Sequence, residues 1–428
     1  MNTTEIKRII QDQEIERIKL LEREKIIERD LNKENILNAL SVPNILAIVG
    51  IRRCGKSVLS WNLLEGVNFG YMNFDDESLY GISAKDLNTV LKAFYELYGD
   101  INFIILDEIQ NVVGWELFAN RLRRTKKVII TGSNSNLLSG DLSTHLTGRH
   151  SDFELFPFSF KEFLNYNNFK LEYAKKYEYS TEVAAKIENS LEQYISLGGL
   201  PEAYSLPNMA KTIFSDIIQK DVIRRYRIRD ISVIENLASY LISNFSTEIT
   251  FNKLKNIFSI GKIETLKNYV KYLQDAYLII ILERFSFKLK QQIIAPKKVY
   301  CIDTGIVSSI AFRFTEDRGK FIENIVVVEL LRRKSYFQSD IEVYYYKDHQ
   351  QREVDFVVKV GHVVKLLIQV CCDIDDHSTK EREITSLIKA SSELRCKNLL
   401  VITWDYEGEE EFEGKFIRFI PLWKWLLY

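Results

Sequence analysis

The stretch Gly50–Ser57 constrains this chain more than any other feature. It reads Gly-Ile-Arg-Arg-Cys-Gly-Lys-Ser and fits the pattern G-x-x-x-x-G-K-[ST]. Residues 45–49 before it are apolar and β-prone, and residues 58–65 after it have a helical pattern. A buried strand that ends in a glycine-rich loop before a helix turns backbone N–H groups and the helix dipole toward one anion. The pattern therefore predicts a phosphate-binding loop, and the flanking strand and helix disfavour the alternative, a glycine-rich turn with a solvated lysine.

The loop residues have predicted roles in holding ATP and Mg²⁺. Lys56 is expected to reach the β- and γ-phosphates, and the Ser57 hydroxyl is expected to ligate Mg²⁺. The other predicted nucleotide contacts are Gly50, Arg52, Arg53, Cys54, Gly55 and Val58.

A second apolar run, Phe103-Ile-Ile-Leu-Asp-Glu108, leads directly into two carboxylates. Asp107 is predicted beside Mg²⁺, at the tip of the strand that neighbours the strand before the loop. Glu108 is predicted to orient and polarise the attacking water. The alternative is a strand that ends in a solvated acidic turn.

A third apolar run, residues 127–132, is followed by Ser133 and Asn134. These polar groups are predicted to sense the γ-phosphate or the attacking water, although a plain turn cap has the same composition. Ligands bind at the carboxyl ends of parallel strands. The three runs therefore predict an α/β fold in which they lie side by side in one parallel sheet.

Length, net charge and cysteine content limit the number of domains, the partners and the cellular compartment that are expected. At 428 residues, two or three domains are expected, and the formal net charge of −1 argues against a uniformly basic nucleic-acid-binding coat. Five cysteines without C-x-x-C spacing predict reduced thiols in a cytoplasmic protein. No signal peptide is evident, and the apolar runs are too short or too interrupted to span a membrane, so no membrane association is expected.

The order of patterns along the chain predicts four regions. Residues 1–160 hold the nucleotide-binding core with an N-terminal amphipathic helix over 4–31, and 161–236 form a helical, lid-like region. Residues 237–312 read as helix, glycine-containing turn, helix and two strands, which is a winged helix-turn-helix pattern. Residues 313–428 are α/β.

Lysines cluster on the second helix of the winged-helix pattern and in its wing. This is the distribution expected of phosphate contacts around a groove-entering helix, so double-stranded DNA is a predicted partner. A solvated lysine face, or a winged helix that binds a protein, are the alternatives. The predicted DNA-contacting residues are Lys262, Lys267, Lys271, Lys297 and Lys298.

Taken together, the motifs resemble those of archaeal and bacterial AAA-type ATPases with a C-terminal DUF4143-type domain. The resemblance covers nearly the whole chain. It is carried by the Gly50–Ser57 loop and by the segments 106–110, 131–135, 147–149 with 156–163, 197–202, 300–305 and 353–356. It implies a P-loop ATPase core, a winged-helix module and a domain similar to PD-(D/E)XK nucleases. Arg149 is then a candidate arginine finger, acting within one chain or in a homo-oligomer; a structural ion pair is the alternative.

The nuclease resemblance assigns Glu323 to the helix acid and Asp355 to the strand acid of a metal site. Gln369 stands where an acid is usual and Cys371 where a lysine is usual. Glutamine still offers an oxygen to Mg²⁺, but cysteine does not replace the lysine, and only Lys365 or Lys347 suggests itself as a substitute. The expected site is therefore inactive or weak, and ordinary surface carboxylates are the alternative.

Three functions remain open at this point. The first is an ATPase that couples nucleotide state to DNA binding through the winged helix and a degenerate nuclease-like domain. The second is a slow NTPase switch that recruits a protein partner. The third is an ATP-gated, metal-dependent DNA nuclease.

Overall fold

We analysed a computed structural model, which describes residues 1–135, 148–177, 180–204, 206, 208–311, 318–372, 374 and 376–428, with backbone only for 173–175. The chain divides into two compact units, residues 1–155 and 156–428, each described by itself below. The finer boundaries expected at 236 and 312 stay predictions. None of the five cysteines forms a disulfide. Within the described ranges, no helix has the length and apolar character needed to cross a membrane.

A five-stranded, fully parallel sheet forms the core of the first unit. Its three central strands are buried along almost their entire length, as expected when helices cover both faces, and the edge strands are less buried. They run β1 (Ile45–Val49), β2 (Phe69–Asn73), β3 (Phe103–Asp107), β4 (Lys127–Gly132) and β5 (His150–Glu154), in the spatial order β2-β3-β4-β1-β5.

The expected parallel α/β fold is confirmed, but one neighbour relation is wrong. The strand that ends at Asp107, β3, does not neighbour β1, because β4 lies between them and pairs with both. The three apolar runs do lie side by side, as predicted. Their carboxyl ends share one edge of the sheet, so Asp107 still faces the same site as the loop after β1.

Five α-helices are described in the first unit: α1 (Thr3–Arg23), α2 (Lys33–Asn38), α3 (Lys56–Leu63), α4 (Leu87–Tyr98) and α5 (Trp115–Leu122). Helix α1 begins with a capping box between Asn2 and Glu5, and it buries Ile6, Ile9 and Ile10 on one face. It ends at Arg23, whereas the pattern predicts helix to residue 31. The residues that follow leave the helix, and Arg29 among them is buried against the loop after β1.

The second unit begins with helices, as expected for residues 161–236. They are α6 (Phe160–Tyr166), α7 (Leu171–Lys176), α8 (Thr181–Leu197), α9 (Met209–Asp216) with a π-helical continuation Ile217–Arg224, and α10 (Ile231–Ser243). Helices α11 (Phe251–Ile257) and α12 (Ile263–Asp275) follow. Three short strands, β6 (Thr247–Ile249), β7 (Ile279–Leu282) and β8 (Lys297–Cys301), pair in the order β6-β8-β7. Between β7 and β8 lies a short helix, α13 (Leu289–Ile294).

The C-terminal part is a mixed six-stranded sheet in the order β13-β14-β12-β11-β10-β9. Helices α14 (Thr304–Ile310) and α15 (Arg318–Tyr336) precede it, α16 (His377–Leu394) connects β11 to β12, and α17 (Leu422–Leu427) ends the chain. The strands are β9 (Ile341–Lys347), β10 (Glu353–Val360), β11 (Val363–Val370), β12 (Leu399–Thr403), β13 (Gly408–Phe412) and β14 (Lys415–Pro421). The mixed α/β domain expected here is confirmed.

In the second unit, the segment around Gly198 and Gly199 packs closely against the segment Asp303–Gly305, and the buried Asp303 carboxylate joins the two. Asp303 caps α14 by accepting the Ile306 N–H at 3.2 Å, and it also accepts the Gly199 N–H at 2.6 Å. A Cβ on Gly198 would lie 2.1 Å from an Asp303 carboxylate oxygen, and Gly198 has a φ of +76°. The sequence Gly198-Gly199 is therefore required for the close approach of the two segments.

Burial raises the pKa of Asp303 to about 6, despite the backbone N–H groups that stabilise its charge. A carboxyl whose pKa is higher in the folded protein than its ordinary 3.8 stabilises the fold most below pH 4 and loses that contribution as pH rises through 6. The free energy of unfolding of wild type minus that of Asp303→Asn should thus fall by about 2.4 kcal/mol between pH 4 and 7.5. Urea unfolding of both proteins across this range measures the difference, and a constant difference would contradict the shift.

Candidate functional site

The loop between β1 and α3 has the backbone shape of an anion cradle. Gly50 has a φ of +148°, and a Cβ there would lie 2.2 Å from the Leu155 carbonyl oxygen. Gly55, with a φ of +97°, precedes the first turn of α3. Both positions need glycine, and Arg53 between them is also left-handed, at a φ of 65°. The loop thus leads directly into the amino end of α3, where N–H groups are available to a phosphate.

Lys56 is the first residue of α3; its side chain lies against this loop and is buried, with the residue 5% exposed. Its ammonium donates to the Ile51 carbonyl at 3.1 Å and lies 3.7 Å from a carboxylate oxygen of Glu108. A buried ammonium held by a neutral carbonyl and one longer ion pair has a strong preference for phosphate oxygens, which carry more charge. The predicted placement of Lys56 at the phosphate site agrees with this geometry.

Asp107 is almost completely buried at the carboxyl end of β3. Its two carboxylate oxygens accept hydrogen bonds from the Thr131 hydroxyl and, at 2.7 Å, from the Tyr71 hydroxyl. Burial and the neighbouring Glu108 raise its pKa, while hydrogen bonds from Thr131, Tyr71 and Ser57 lower it. Ser57 and Asp107 are therefore in contact, which is the pair expected to face Mg²⁺.

Glu108 adopts a left-handed backbone, with a φ of 50°, directly after β3. Its N–H donates to the Thr131 hydroxyl at 3.0 Å, and its carboxylate accepts from Gln110 and, at 3.4 Å, from Ser133. A left-handed conformation in a non-glycine residue is unusual and needs such support. It turns the carboxylate toward Lys56 at the carboxyl edge of the sheet.

The other predicted residues of this site lie nearby or on the loop. Ser133 and Asn134, which follow β4, are fully buried. Cys54 is also buried, and burial raises the pKa of its thiol, so it is a loop-filling residue. Arg52 lies partly exposed and pairs with Asp75 at 3.3 Å.

Three residues that contribute contacts to the site are not predicted from the sequence. Arg29 is 8% exposed and donates to the Cys54 carbonyl at 3.0 Å, which adds a positive charge from outside the motif to those of Arg52, Arg53 and Lys56. Thr131 and Tyr71 hold Asp107 from the two strands that flank β3. Thr131 is detectable in principle, since it lies two residues before Ser133. Arg29 and Tyr71 lie in segments without any motif.

Arg149 lies at the opposite edge of the sheet from the loop. Its carbonyl accepts the N–H of Ile45, the first residue of β1, at 3.1 Å, and its side chain is exposed. The loop begins after Val49, four residues further along, or roughly 13 Å along the strand. Arg149 therefore does not reach the loop of its own chain in this structure.

A second cluster of charged residues lies in the C-terminal part, and it contains both predicted nuclease acids. Glu323 on α15 and Asp355 on β10 are buried and adjacent to one another. Between them lies the ammonium of Lys298, at 2.8 Å from Glu323 and 3.3 Å from Asp355. Glu353 also pairs with it, at 2.5 Å. The alternative of ordinary surface carboxylates is thus wrong for Glu323 and Asp355.

Lys298 and Lys297 are placed differently from the prediction. Both lie in strand β8, are buried, and face carboxylates; Lys297 pairs with Glu283 at 2.9 Å. The expectation that their charges project from the wing is wrong, because β8 is the central strand of its sheet and packs against α15. Burial disfavours the Lys298 charge, but the surrounding carboxylates outweigh it and raise the pKa of Lys298.

The remaining nuclease-like positions are Gln369, Cys371 and the two lysines considered as substitutes, Lys365 and Lys347. Gln369 accepts the Asp355 N–H at 3.4 Å and donates to Glu383 at 2.5 Å, so both ends of its amide are engaged. Cys371 is buried, and Lys365 is exposed. Lys347 pairs with Glu248 and Glu353 at the edge of the cluster. Across the described part of the chain, no group of three or more His, Cys, Asp or Glu residues is arranged to hold a metal ion.

The helices α11 and α12 present the remaining predicted DNA contacts. Lys262, Lys267 and Lys271 are exposed, while Leu266, Val270 and Leu273 on the opposite face of α12 are buried. Lys271 forms an ion pair with Asp275 at 3.0 Å, and the Lys267 ammonium lies 5.8 Å from the Phe251 ring centroid. Lys267 and Lys271 lie one turn apart on the exposed side of α12, and Lys262 is its N-cap residue; we call these three residues the α12 lysine face.

Comparison with known proteins is consistent with this arrangement of parts. Family models match residues 42–164 (AAA domain), 188–317 (a domain of unknown function, DUF8612) and 318–425 (a domain of unknown function, DUF4143). An uncharacterized protein of Methanocaldococcus jannaschii is 35% identical over 401 residues, which cover 89% of this chain and 87% of that protein. The chain belongs to the AAA-type ATPases that carry a C-terminal DUF4143 domain. The resemblance inferred from the motifs is thereby confirmed.

A bacterial protein and a solved archaeal structure are also similar to this chain. An uncharacterized protein of Haemophilus influenzae is 26% identical over 400 residues, covering 89% of this chain and 93% of that protein, so the AAA–DUF4143 family includes bacteria and archaea. Among solved structures, a Walker-type ATPase of Pyrococcus abyssi is similar with 14% identity and a TM-score of 0.44, covering 67% of this chain and 97% of that one.

Proposed function

We propose that this AAA–DUF4143 protein hydrolyses ATP at the loop between β1 and α3. The observation that supports this best is the convergence of Lys56, Asp107 and Glu108 at one edge of the parallel sheet, with Lys56 and Glu108 3.7 Å apart. A positive charge for the phosphates, a carboxylate for the metal ion and a second carboxylate for water are the three elements that hydrolysis of a phosphoanhydride needs.

ATP and Mg²⁺ fit the residues present. Gly50 and Gly55 supply the positive-φ backbone turns of the loop, and Ser57 and Asp107, which contact one another, would hold Mg²⁺. The metal ion supplies charge neutralisation at the β- and γ-phosphates. The Lys56 ammonium exchanges the Ile51 carbonyl for phosphate oxygens. Glu108, thereby released from Lys56, orients the attacking water and accepts its proton, and Ser133 and Asn134 lie close enough to the carboxyl edge to sense the γ-phosphate.

We further propose that nucleotide state is coupled to the binding of double-stranded DNA through the α12 lysine face. Two exposed lysines, Lys267 and Lys271, lie on the outer side of the second helix of a helix–turn–helix, and exposed Lys262 is its N-cap; the inner side of the helix is apolar and buried. Such a helix is suited to approach a groove with its lysines directed at the phosphates. Lys297 and Lys298 do not belong to this surface, because both are buried and paired.

The test is ATP turnover and DNA binding measured together. The triple variant with Lys262, Lys267 and Lys271 changed to Ala should bind duplex DNA more weakly, and its log–log salt slope should be smaller in magnitude by about 0.9 per lost phosphate contact. DNA should stimulate turnover of wild type but not of this variant. The matched control changes three exposed lysines elsewhere to Ala, Lys365, Lys389 and Lys397, and should behave as wild type. A wild-type slope in the α12 variant would remove DNA from the proposal.

A second candidate function, recruitment of a protein partner, is favoured by one observation. The connection between β7 and β8 exposes four large apolar side chains: Phe287 at 73%, Leu289 at 70%, Ile293 at 62% and Ile294 at 72%. Exposed apolar clusters of this kind are typical of protein contacts rather than of phosphate contacts. DNA-independent turnover together with a wild-type salt slope in the α12 variant would favour this candidate.

A further inference from the structure

We propose that Lys298 is the built-in cation of the acidic cluster on α15 and β10, and that it occupies the place where a nuclease of this fold would bind a divalent metal ion. The cluster is then a metal-free ionic lock, formed by Lys298, Glu323, Glu353 and Asp355, which fastens β8 to the mixed sheet. The assignment goes beyond ATP hydrolysis and does not depend on it.

The ammonium of Lys298 has its full complement of partners. Glu323, Glu353 and Asp355 lie at 2.8, 2.5 and 3.3 Å from it, and the ammonium has three protons to donate. The lysine side chain is 4% exposed, so these contacts are made away from solvent. Such an arrangement gives a lysine the environment that a metal ion has in an oxygen-ligand site.

The second carboxylate oxygens of Asp355 and Glu353, which do not face Lys298, are bound to other donors. Asp355 accepts the Val370 N–H at 2.9 Å on its second oxygen, and Glu353 pairs with Lys347 at 3.2 Å through its second oxygen. The Glu323 oxygen that faces Lys298 also accepts the Tyr300 hydroxyl at 2.6 Å. Tyr300 lies two residues from Lys298 on β8, so both side chains project from the same side of that strand. A divalent ion at this place would therefore need the oxygens that face Lys298, and it gains them only when Lys298 is removed.

Displacing Lys298 is unfavourable because of where it lies. Strand β8 pairs with β6 on one side and β7 on the other, so the backbone of Lys298 is fixed. An ammonium expelled from the carboxylates would remain in a buried environment without its counter-charges, which is strongly destabilising. Lys298 therefore excludes the metal ion by charge and by volume together.

The decisive experiment removes the lysine and asks whether the site gains a metal ion. Free Mn²⁺ is measured by electron paramagnetic resonance in titrations of nucleotide-free protein. Wild type should bind no Mn²⁺ that depends on Asp355. Lys298→Ala should bind one additional Mn²⁺ per chain, and Lys298→Ala combined with Asp355→Asn should lose it. Any Mn²⁺ bound weakly at the loop after β1 is bound by all of these proteins, so it does not affect the difference in bound Mn²⁺ between them.

Thermal unfolding provides a second measurement on the same proteins. Lys298→Ala should unfold at a lower temperature than wild type and regain part of the loss in Mn²⁺, whereas wild type should not respond. Lys298→Arg keeps the charge and should bind no Mn²⁺. If Lys298→Ala does not fold, Lys298→Gln, which is closer in size, takes its place in the titration.

Two results would overturn the proposal. One is Asp355-dependent Mn²⁺ binding by wild type, and the other is a folded Lys298→Ala protein that gains no Mn²⁺. The proposal also implies that wild type leaves duplex DNA intact in Mg²⁺ or Mn²⁺. Cleavage by wild type that Asp355→Ala abolishes would count against it in the same way.

Discussion

A Glu108→Gln variant is expected to bind ATP as tightly as wild type and to hydrolyse it about 10²–10⁴-fold more slowly, as is typical for loss of a general base. The substitution keeps the size of the side chain and its place beside Gln110 and Ser133. It removes the negative charge that accepts a proton from water. Nucleotide binding by calorimetry and turnover at saturating ATP separate the two effects.

Lys56→Ala is the complementary change, because it removes the ammonium that faces the phosphates. This variant should lose tight ATP binding altogether, since anionic oxygens would be left without their charged donor. Glu65→Gln, at an exposed position beyond α3, is the matched control for Glu108→Gln and should resemble wild type. Equal turnover in wild type and Glu108→Gln would remove Glu108 from its proposed role.

The glycine-rich loop and the strands beside it are predictable from sequence, because each is a short, continuous pattern of residue types. The apolar run at 45–49 matches β1 residue for residue, and the run that begins at Phe103 matches β3 except that the strand ends at Asp107, one residue before Glu108. What the patterns do not contain is the order of strands in the sheet. The order depends on which helices cover which face, so the position of β4 between β1 and β3 appears only in the structure.

Residues that act through distant contacts are the ones that sequence reasoning misplaces. Lys298 looks like a wing lysine by its neighbours in sequence, yet its partners Glu323 and Asp355 lie 25 and 57 positions away. One feature of the sequence indicates that Lys298 is buried. Lys298 and Tyr300 are two residues apart in a strand, so they lie on the same face, and two polar groups on a buried face need polar partners. Arg29 has no such feature, because its segment has the pattern of a continuing amphipathic helix.

The boundary of α1 is a similar case. Charged residues continue in a helical rhythm past Arg23, and intrinsic propensity alone favours extending the helix. The extended segment that follows instead brings Arg29 to the Cys54 carbonyl. A tertiary contact at the loop thus decides where the helix ends, and the same contact gives the site a charge that the motif does not include.

The largest effect on turnover is expected for Arg149→Ala, provided that Arg149 serves the nucleotide site of a neighbouring copy. Within its own chain Arg149 lies at the amino end of β1, whereas the loop follows the carboxyl end. A finger acting within one chain is therefore incompatible with this structure, and a homo-oligomer is the remaining arrangement in which Arg149 stabilises transferred charge. Fingers of this kind contribute about 10³–10⁵ in rate. Turnover per wild-type chain should then rise with protein concentration, and that of Arg149→Ala should stay low and flat.

A mixing experiment tests the arrangement directly. Lys56→Ala lacks a working loop but keeps Arg149, and Arg149→Ala keeps the loop but lacks the finger. Each should be nearly inactive alone, and an equimolar mixture should regain turnover, because one chain then offers its arginine to the intact loop of the other. Arg124→Ala, at an exposed arginine of the same unit, is the matched control and should leave turnover unchanged. Two results would leave Arg149 with a structural role only. One is a mixture that shows no turnover, and the other is turnover that is independent of concentration and is not lowered by Arg149→Ala.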